Sequence, residues 1–133
     1  GYPIIDLENF YTDINRYLRS LEEIVISTLN FYKISSKRSS GETGVWLEPN
    51  SPYSRKICAI GVKTSRWVTM HGFALNVDTD LRYYDYIIPC GIKGKGITSI
   101  NKEIKKSISI NEVKEKLLQN LKKTFDANLI FSI

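Results

Sequence analysis

Two long strand-like runs stand back to back in the middle of the sequence and constrain the fold more than any other feature. They are "KICAIGVKTS" (56–65) and "WVTMHGFALNV" (67–77), and both contain the β-branched and aromatic residues that strands favour. Together they predict the centre of a β-sheet. Gly61 and Gly72 interrupt the two runs, and a glycine inside a strand often marks the close approach of a ligand or of another backbone.

Two segments on either side of this block predict amphipathic helices. In residues 12–32 and again in residues 109–125, apolar side chains recur at helical spacing. Thr12 or Asp13 is the candidate N-cap of the first helix, and Ser109 is the candidate N-cap of the second. We expect these helices to pack against the sheet.

The remaining pattern consists of shorter elements. We expect a buried strand at 1–6, a polar loop at 33–42, a short strand at 43–48, a helical turn leading into an extended piece at 81–92 and a short helix at 99–106. Strands and helices mix without a regular βαβ rhythm. The predicted fold class is therefore α+β, with a mixed or antiparallel sheet packed with helices.

Length and cysteine content narrow the classes of function. The 133 residues suffice for one domain, and no apolar run is long enough to span a membrane. The two cysteines form no CxxC pair and there is one histidine, so we expect no metal site. Without a secretory signal, the thiols are expected to be reduced and the location cytoplasmic.

The balance of charge favours acidic partners. Lys and Arg total 19 against 14 for Asp and Glu, which gives a net charge of +5. The alternative is that the lysines near the C-terminus form solvated helix faces, because charge alone identifies no partner.

Cys90 is a candidate nucleophile because of its surroundings in "IIPCGIKGKG" (87–96). It lies between Pro89 and Gly91, and Lys93 and Lys95 follow closely. A thiol attacks as thiolate, which needs a nearby cation or backbone N–H groups aimed at the sulfur. A small buried thiol is the alternative interpretation. The glycines and lysines also suggest a phosphate loop, but they match neither the P-loop nor the dinucleotide spacing.

The block "RKICAIGVKTSRWVTMHGFALNVDTDL" followed by "IIPCGI" closely resembles the lipoate-biosynthesis octanoyltransferases, or lipoyl(octanoyl) transferases. "GYPIIDL", "LRSLEEIVISTL" and "TGVWL" match the same family, so the resemblance extends over roughly residues 1–125. It implies a fold similar to the catalytic domain of biotin and lipoate protein ligases. It also implies one domain over residues 1–133 that lacks N-terminal segments of the family, since "GYPI" follows them there.

The resemblance implies an acyltransferase that needs no cofactor, ATP or metal. It carries an octanoyl group from octanoyl-acyl carrier protein to a lysine of a lipoyl domain, in E2 subunits of 2-oxoacid dehydrogenases or in the H protein of glycine cleavage. The family's cysteine nucleophile falls on Cys90, and its lysine falls on Lys56. By position alone, Lys56 would be a solvent-facing residue at the start of a strand. The implied substrate-binding residues are Ala59, Ile60, Gly61, Gly72, Phe73 and Ala74.

Three alternatives stay open from the sequence. One is a non-catalytic remnant or carrier-protein-binding module of the same fold. Another is a nucleic-acid-binding domain that uses Tyr83, Tyr84, Tyr86 and Arg82, although the basic residues are dispersed and no nucleic-acid motif is present. The third is an ATP-dependent ligase, against which Cys90 argues, because such ligases use a lysine and no cysteine nucleophile.

Overall fold

The computed structural model describes residues 1–86 and 95–131, apart from the side chain of Asp85. Within these residues two short 3-10 helices occur, at Leu7–Asn9 and Leu81–Tyr86. The remaining elements, in chain order, are α1 (Ile14–Phe31), β1 (Lys37–Ser39), β2 (Glu42–Leu47), β3 (Arg55–Ser65), β4 (Val68–Leu75), β5 (Gly96–Ile97), α2 (Ile100–Ile104) and α3 (Ile110–Phe125).

The strands form one mixed sheet in the described part of the chain. Its order is β1-β2-β3-β4 with antiparallel neighbours, and β5 pairs with β3 in parallel. Strand β4 pairs with one edge of β3 from Cys58 to Ser65. On the same edge, β5 pairs with the first two residues of β3, Arg55 and Lys56. The α+β class and the mixed sheet predicted from the sequence are confirmed.

The two long helices form where the periodicity predicts them, and both begin at a side-chain cap. Asp13 accepts a hydrogen bond from the backbone of Arg16, and Ser109 accepts one from Asn111. Both helices pack their apolar faces on one side of the sheet. The buried residues that form this core include Tyr17, Leu21, Ile24, Val25 and Leu29 of α1, Val45 and Ile57 of the sheet, and Val113 and Phe125 of α3.

The hairpin between β3 and β4 aligns the central block of the sequence. Ser65 pairs with Val68, and the two turn residues Arg66 and Trp67 both have positive φ angles, 48° and 63°. This is the geometry of a type I′ turn, whose twist matches that of the flanking strands. The tight turn fixes the register, so that Gly61 lies opposite Gly72.

Residues 1–6 are not the buried strand that the sequence predicts. They contain only an isolated bridge from Asp6 to Val68, and Tyr2 and Ile4 are exposed. The segment instead follows the outer edge of β4, where the Thr69 backbone N–H donates to the Ile5 carbonyl. Strands β1 and β5 were missed because two or three residues show no periodicity.

Candidate functional site

A β-bulge determines the direction of Lys56. Val45 pairs with Cys58, but Trp46 pairs with Lys56, so Ile57 is an extra residue on β3. In a regular strand Lys56 and Cys58 would share a face. The bulge instead sends Ile57 and Cys58 into the helix-covered core, while Lys56 joins Trp46 on the opposite face.

Lys56 is buried at 7% exposure, which corrects the expectation of a solvent-facing residue at the start of a strand. Its Nζ lies 4.6 Å from the centre of the Trp46 ring, a cation–π contact. The ring is itself 1% exposed. At this burial such a contact contributes on the order of 1–2 kcal/mol. The ammonium group is therefore held in a defined position.

Gly44 makes room for the stem of this lysine. Its φ angle is +116°, and a Cβ atom placed there would lie 2.6 Å from the Cys58 carbonyl oxygen and 3.5 Å from Lys56 Cε. A side chain at this position would be strained and would meet the backbone of β3. Glu22, buried in α1, fixes the same point, because its Oε1 accepts the Gly44 backbone N–H at 3.1 Å.

A second lysine reaches the same ring. Lys95 Nζ lies 4.9 Å from the Trp46 ring centre and donates to Glu42 Oε2 at 2.6 Å. Ser39 donates to the same oxygen at 2.7 Å. The pKa of Glu42 is lowered from its ordinary value. The largest cause is the hydrogen bond from Lys95, the next is the hydrogen bond from Ser39, and the positive charge of Lys56 contributes less. Two cations and one carboxylate thus surround one buried indole.

Four of the expected substrate-binding residues form a strip of small side chains. Ala59 lies opposite Ala74, and Gly61 lies opposite Gly72, all on one face of the β3–β4 hairpin. This face is opposite to the core and therefore continues the face of Lys56. A Cβ atom at Gly61 would have no neighbour within 4 Å, so the strip is open above that residue.

The other two expected residues point away from the strip. Ile60 and Phe73 pair with each other across the hairpin and pack against the helix-covered core. Phe73 also lines an apolar cavity of about 350 Å³ beside Leu117 and Leu121 of α3. The expectation for these two concerns their backbone, and it stays a prediction.

Gly72 confirms that a strand glycine can mark a close backbone approach. A Cβ atom there would lie 2.1 Å from the Gly1 carbonyl oxygen and 2.9 Å from Pro3 Cδ. Gly1 forms two hydrogen bonds with Phe73, as donor to its carbonyl and as acceptor from its N–H, each at 2.9 Å. The approaching backbone is therefore the first residues of the chain itself.

The structure describes only one of the two cysteines, and that one is buried. Cys90, the expected nucleophile, lies outside the described residues. Cys58 is 1% exposed, and burial raises the pKa of its thiol to about 12. A buried thiol that is protonated at neutral pH is a poor nucleophile. Cys58 is therefore a core residue.

The sequence does not bring three members of the site together. It indicates Trp46 only as a core or pocket-wall aromatic, places Glu42 in a loop, and offers Lys95 as a cation after Cys90 or as part of a phosphate loop. The available signal was the alternation in "ETGVW", which puts Glu42, Gly44 and Trp46 on one face of a strand. That signal could not indicate which lysines would meet this face.

The family model of the lipoyl protein ligase A/B catalytic domain matches residues 1–122. The chain belongs to this family. Two curated relatives, both named octanoyltransferase, come from Christiangramia forsetii and Flavobacterium psychrophilum. They are 62% and 60% identical over 130 and 131 residues, or 97% and 98% of this chain. The chain spans 56% of the length of each. The resemblance inferred from the sequence is confirmed.

Solved structures of biotin and lipoate protein ligases share the fold. An apo biotin protein ligase from Aquifex aeolicus superposes with a TM-score of 0.69 at 17% identity, over 92% of this chain and 50% of its own. A bi-partite lipoate protein ligase from Thermoplasma acidophilum gives the same TM-score and identity, over 98% of this chain and 51% of its own. The expected likeness to biotin and lipoate ligase catalytic domains is confirmed at the level of the fold.

Residues 1–86 and 95–131 contain no group of three or more His, Cys, Asp or Glu side chains that could hold a metal ion. Within the same residues, no helix is both long and apolar enough to cross a membrane. Arg82, considered above for nucleic-acid binding, forms an ion pair with Asp80 at 2.6 Å.

Proposed function

We propose that the chain is an octanoyltransferase domain, spanning residues 1–133, that moves an octanoyl group from acyl carrier protein to a lysine of a lipoyl domain. The observation that carries the proposal is the position of Lys56. A bulge turns it onto the same face as a strip of small residues, and a buried tryptophan holds its ammonium group. The two octanoyltransferase relatives, at 60% identity or more, support the same activity.

The proposed chemistry is a double displacement at the octanoyl carbonyl carbon, with Cys90 as the intermediate acyl carrier. The Cys90 thiolate attacks the octanoyl thioester, the octanoyl–Cys90 thioester forms, and the carrier protein leaves as a thiolate that takes a proton from the Lys56 ammonium group, which leaves Lys56 neutral. The amine of the acceptor lysine then attacks this second thioester. An amide forms, the Cys90 thiolate leaves, and the proton lost by the amine passes to neutral Lys56.

Lys56 has a role in each half of this reaction. As an ammonium ion it favours the Cys90 thiolate electrostatically, and as a neutral amine it accepts the proton of the acceptor. The two roles require Lys56 and Cys90 to be near each other. Cys90 lies five positions before Lys95 in the sequence, so their Cα atoms are at most about 18 Å apart. Lys95 contacts the same indole as Lys56, which supports a position of Cys90 on this side of the sheet.

The acyl chain would lie along the strip of small side chains. Ala59 is three residues from Lys56 along β3, a distance of about 10 Å at the rise of a strand. Gly61 follows, and nothing lies within 4 Å above it. Its partner Gly72 is covered by Gly1 and Pro3, so the acyl chain would follow the β3 side of the strip. The strip therefore suits a linear apolar group whose carbonyl carbon lies near Lys56.

The partners would be recognised in part by charge. The net charge of +5 favours encounter with the acidic surfaces expected of acyl carrier protein and lipoyl domains. The acceptors would be the E2 subunits of 2-oxoacid dehydrogenases and the H protein of glycine cleavage. The exchange of one thioester for another requires no cofactor, and we expect it to take place in the cytoplasm.

The test is intact-protein mass spectrometry after incubation with octanoyl-acyl carrier protein. We expect a hydroxylamine-labile octanoyl adduct on the chain and on Cys58→Ser, and none on Cys90→Ser. Lys56→Met should accumulate the adduct far more slowly. An adduct that is retained in Cys90→Ser would refute the proposed nucleophile.

Two further arms separate the alternatives. Octanoylation of a lipoyl domain from octanoate and Mg-ATP, and not from the carrier, would identify a ligase. Carrier binding without any adduct would favour a non-catalytic carrier-protein-binding module. That second candidate is motivated by the chain length, which is 56% of that of the curated relatives.

A further inference from the structure

Strand β2 presents three alternating positions to the two lysines. Glu42, Gly44 and Trp46 are two residues apart and line one face of the strand, opposite the core residues Val45 and Leu47. We call these three residues the lysine seat. The seat offers a carboxylate at one end, a gap in the middle and an aromatic ring at the other end.

The two lysines reach the seat from different parts of the chain. Lys56 is paired directly with Trp46 in the β2–β3 ladder, and its stem passes over Gly44. Lys95 immediately precedes β5, and Gly96 of that strand pairs with Arg55. The parallel pairing of β5 with β3 therefore delivers Lys95 to the same ring.

The positions of the charged groups at the lysine seat depend on the interactions among them. Two ammonium groups within 5 Å of one ring centre repel each other, and Glu42 offsets this repulsion by its 2.6 Å contact with Lys95. The side chains of Lys95 and Glu42 are 29% and 20% exposed, so solvent screens the pair only in part. Ser39 holds the carboxylate in place from β1.

We propose that Glu42 is a positioning residue for Lys56. By holding Lys95 against the shared ring, Glu42 limits where the Lys56 ammonium group can settle. This inference rests on the proposed acyl transfer, in which Lys56 takes part. Glu42 itself does not touch the reacting atoms and acts only through the two lysines.

The first test is geometric and needs no activity. The indole ring current shifts the Hε resonances of both lysines upfield in a ¹H–¹³C spectrum of ¹³C-lysine-labelled protein, and Lys56→Arg and Lys95→Arg assign them. In Glu42→Gln we expect the Lys95 resonance to return to the position of an exposed lysine and the Lys56 resonance to move. Glu23→Gln removes a carboxylate from a surface pair with Arg38 and is the matched control. It should leave both resonances in place.

The second test is kinetic and distinguishes positioning from stability. We expect Glu42→Gln to lower the single-turnover rate of acylation by about 10- to 100-fold, the range caused by a misplaced catalytic group, with KM changed by less than about twofold. Lys95→Arg keeps the pair and should retain most of the rate, whereas Lys95→Gln should lose it. In a Lys56→Met background, Glu42→Gln should cause no further loss.

Each outcome decides a different question. If the parent chain forms the adduct and Glu42→Gln does so at the same rate, or is equally harmful without Lys56, the inference is overturned and the proposed function stands. If the parent forms no adduct, the proposed function fails. The spectrum then decides the inference alone: a Lys56 resonance that moves in Glu42→Gln supports the seat, and one that stays in place rejects it.

Discussion

Replacing Gly44 with alanine should be among the most damaging single-methyl additions in this chain. The φ angle of +116° is one that residues with a Cβ atom rarely adopt, and holding a residue there costs about 1–3 kcal/mol. The added Cβ atom would also lie 2.6 Å from the Cys58 carbonyl oxygen. Because that atom belongs to the backbone of the central strand, relief requires β2 and β3 to separate locally, at a cost of about 1–3 kcal/mol.

Alanine substitutions at two other glycines allow the cost of backbone strain and the cost of the steric contact to be measured separately. Gly41 has a φ angle of +75° with no atom within 4 Å of its would-be Cβ, so Gly41→Ala carries backbone strain alone, about 1–2 kcal/mol. Gly61 has open space without a positive φ angle, so Gly61→Ala should be within about 0.5 kcal/mol of the parent. For Gly44→Ala the sum is about 2–6 kcal/mol.

The assay is urea unfolding followed by circular dichroism and tryptophan fluorescence, together with a thermal scan. In a domain of this size each kcal/mol lowers Tm by about 3–5 °C, so the Tm of Gly44→Ala should fall by about 6–30 °C. A Gly44→Ala variant no less stable than Gly41→Ala would refute the reasoning, since it would mean that the contact with Cys58 has no energetic consequence.

Three further predictions concern buried or paired groups. Glu22→Gln removes the charge that Arg38 contacts at 3.0 Å and should reduce the free energy of unfolding in urea by about 2–3 kcal/mol. The pKa of Glu103 is lowered chiefly by its hydrogen bonds from Arg55. The ionised carboxylate therefore contributes its full stabilisation of the fold at any pH above the ordinary carboxyl pKa, and this contribution is lost as the pH falls through the lowered pKa of Glu103. The stability difference between the parent and Glu103→Gln, measured by urea unfolding, should therefore close in acid, and a difference that widens there would contradict this sign. Cys58, with its pKa raised to about 12, should resist iodoacetamide in the native state and react after denaturation, as peptide mass spectrometry will report.

The elements that the sequence predicts well are those with a long local pattern. The α1 and α3 helices combine a periodic apolar face with a side-chain cap, and the β3–β4 hairpin has two long strand runs joined at a tight turn. Elements without such a pattern were missed or misassigned. Residues 1–6 contain apolar side chains typical of a strand, yet they follow an edge where their side chains stay partly in water.

The candidate site was predicted in part, and the part that failed depends on long-range contacts. The resemblance pointed to Lys56 and to the strip around Gly61 and Gly72. It gave no indication of Glu42 or Lys95, which are separated by 53 positions in the sequence and meet at 2.6 Å. No local period relates two residues at such a distance.

The amino-acid sequence is sufficient to predict the fold class, the two long helices, the central hairpin and the family to which the chain belongs. Each of these depends on patterns within a short window or on an ordered series of motifs. The direction of Lys56, in contrast, depends on how two strands pair in the folded chain. One extra residue, Ile57, inverts the alternation of β3, and the bulge exists only because β2 pairs on both sides of it. Strand pairing is a property of two segments at once, and for that reason a single strand's pattern could not reveal it.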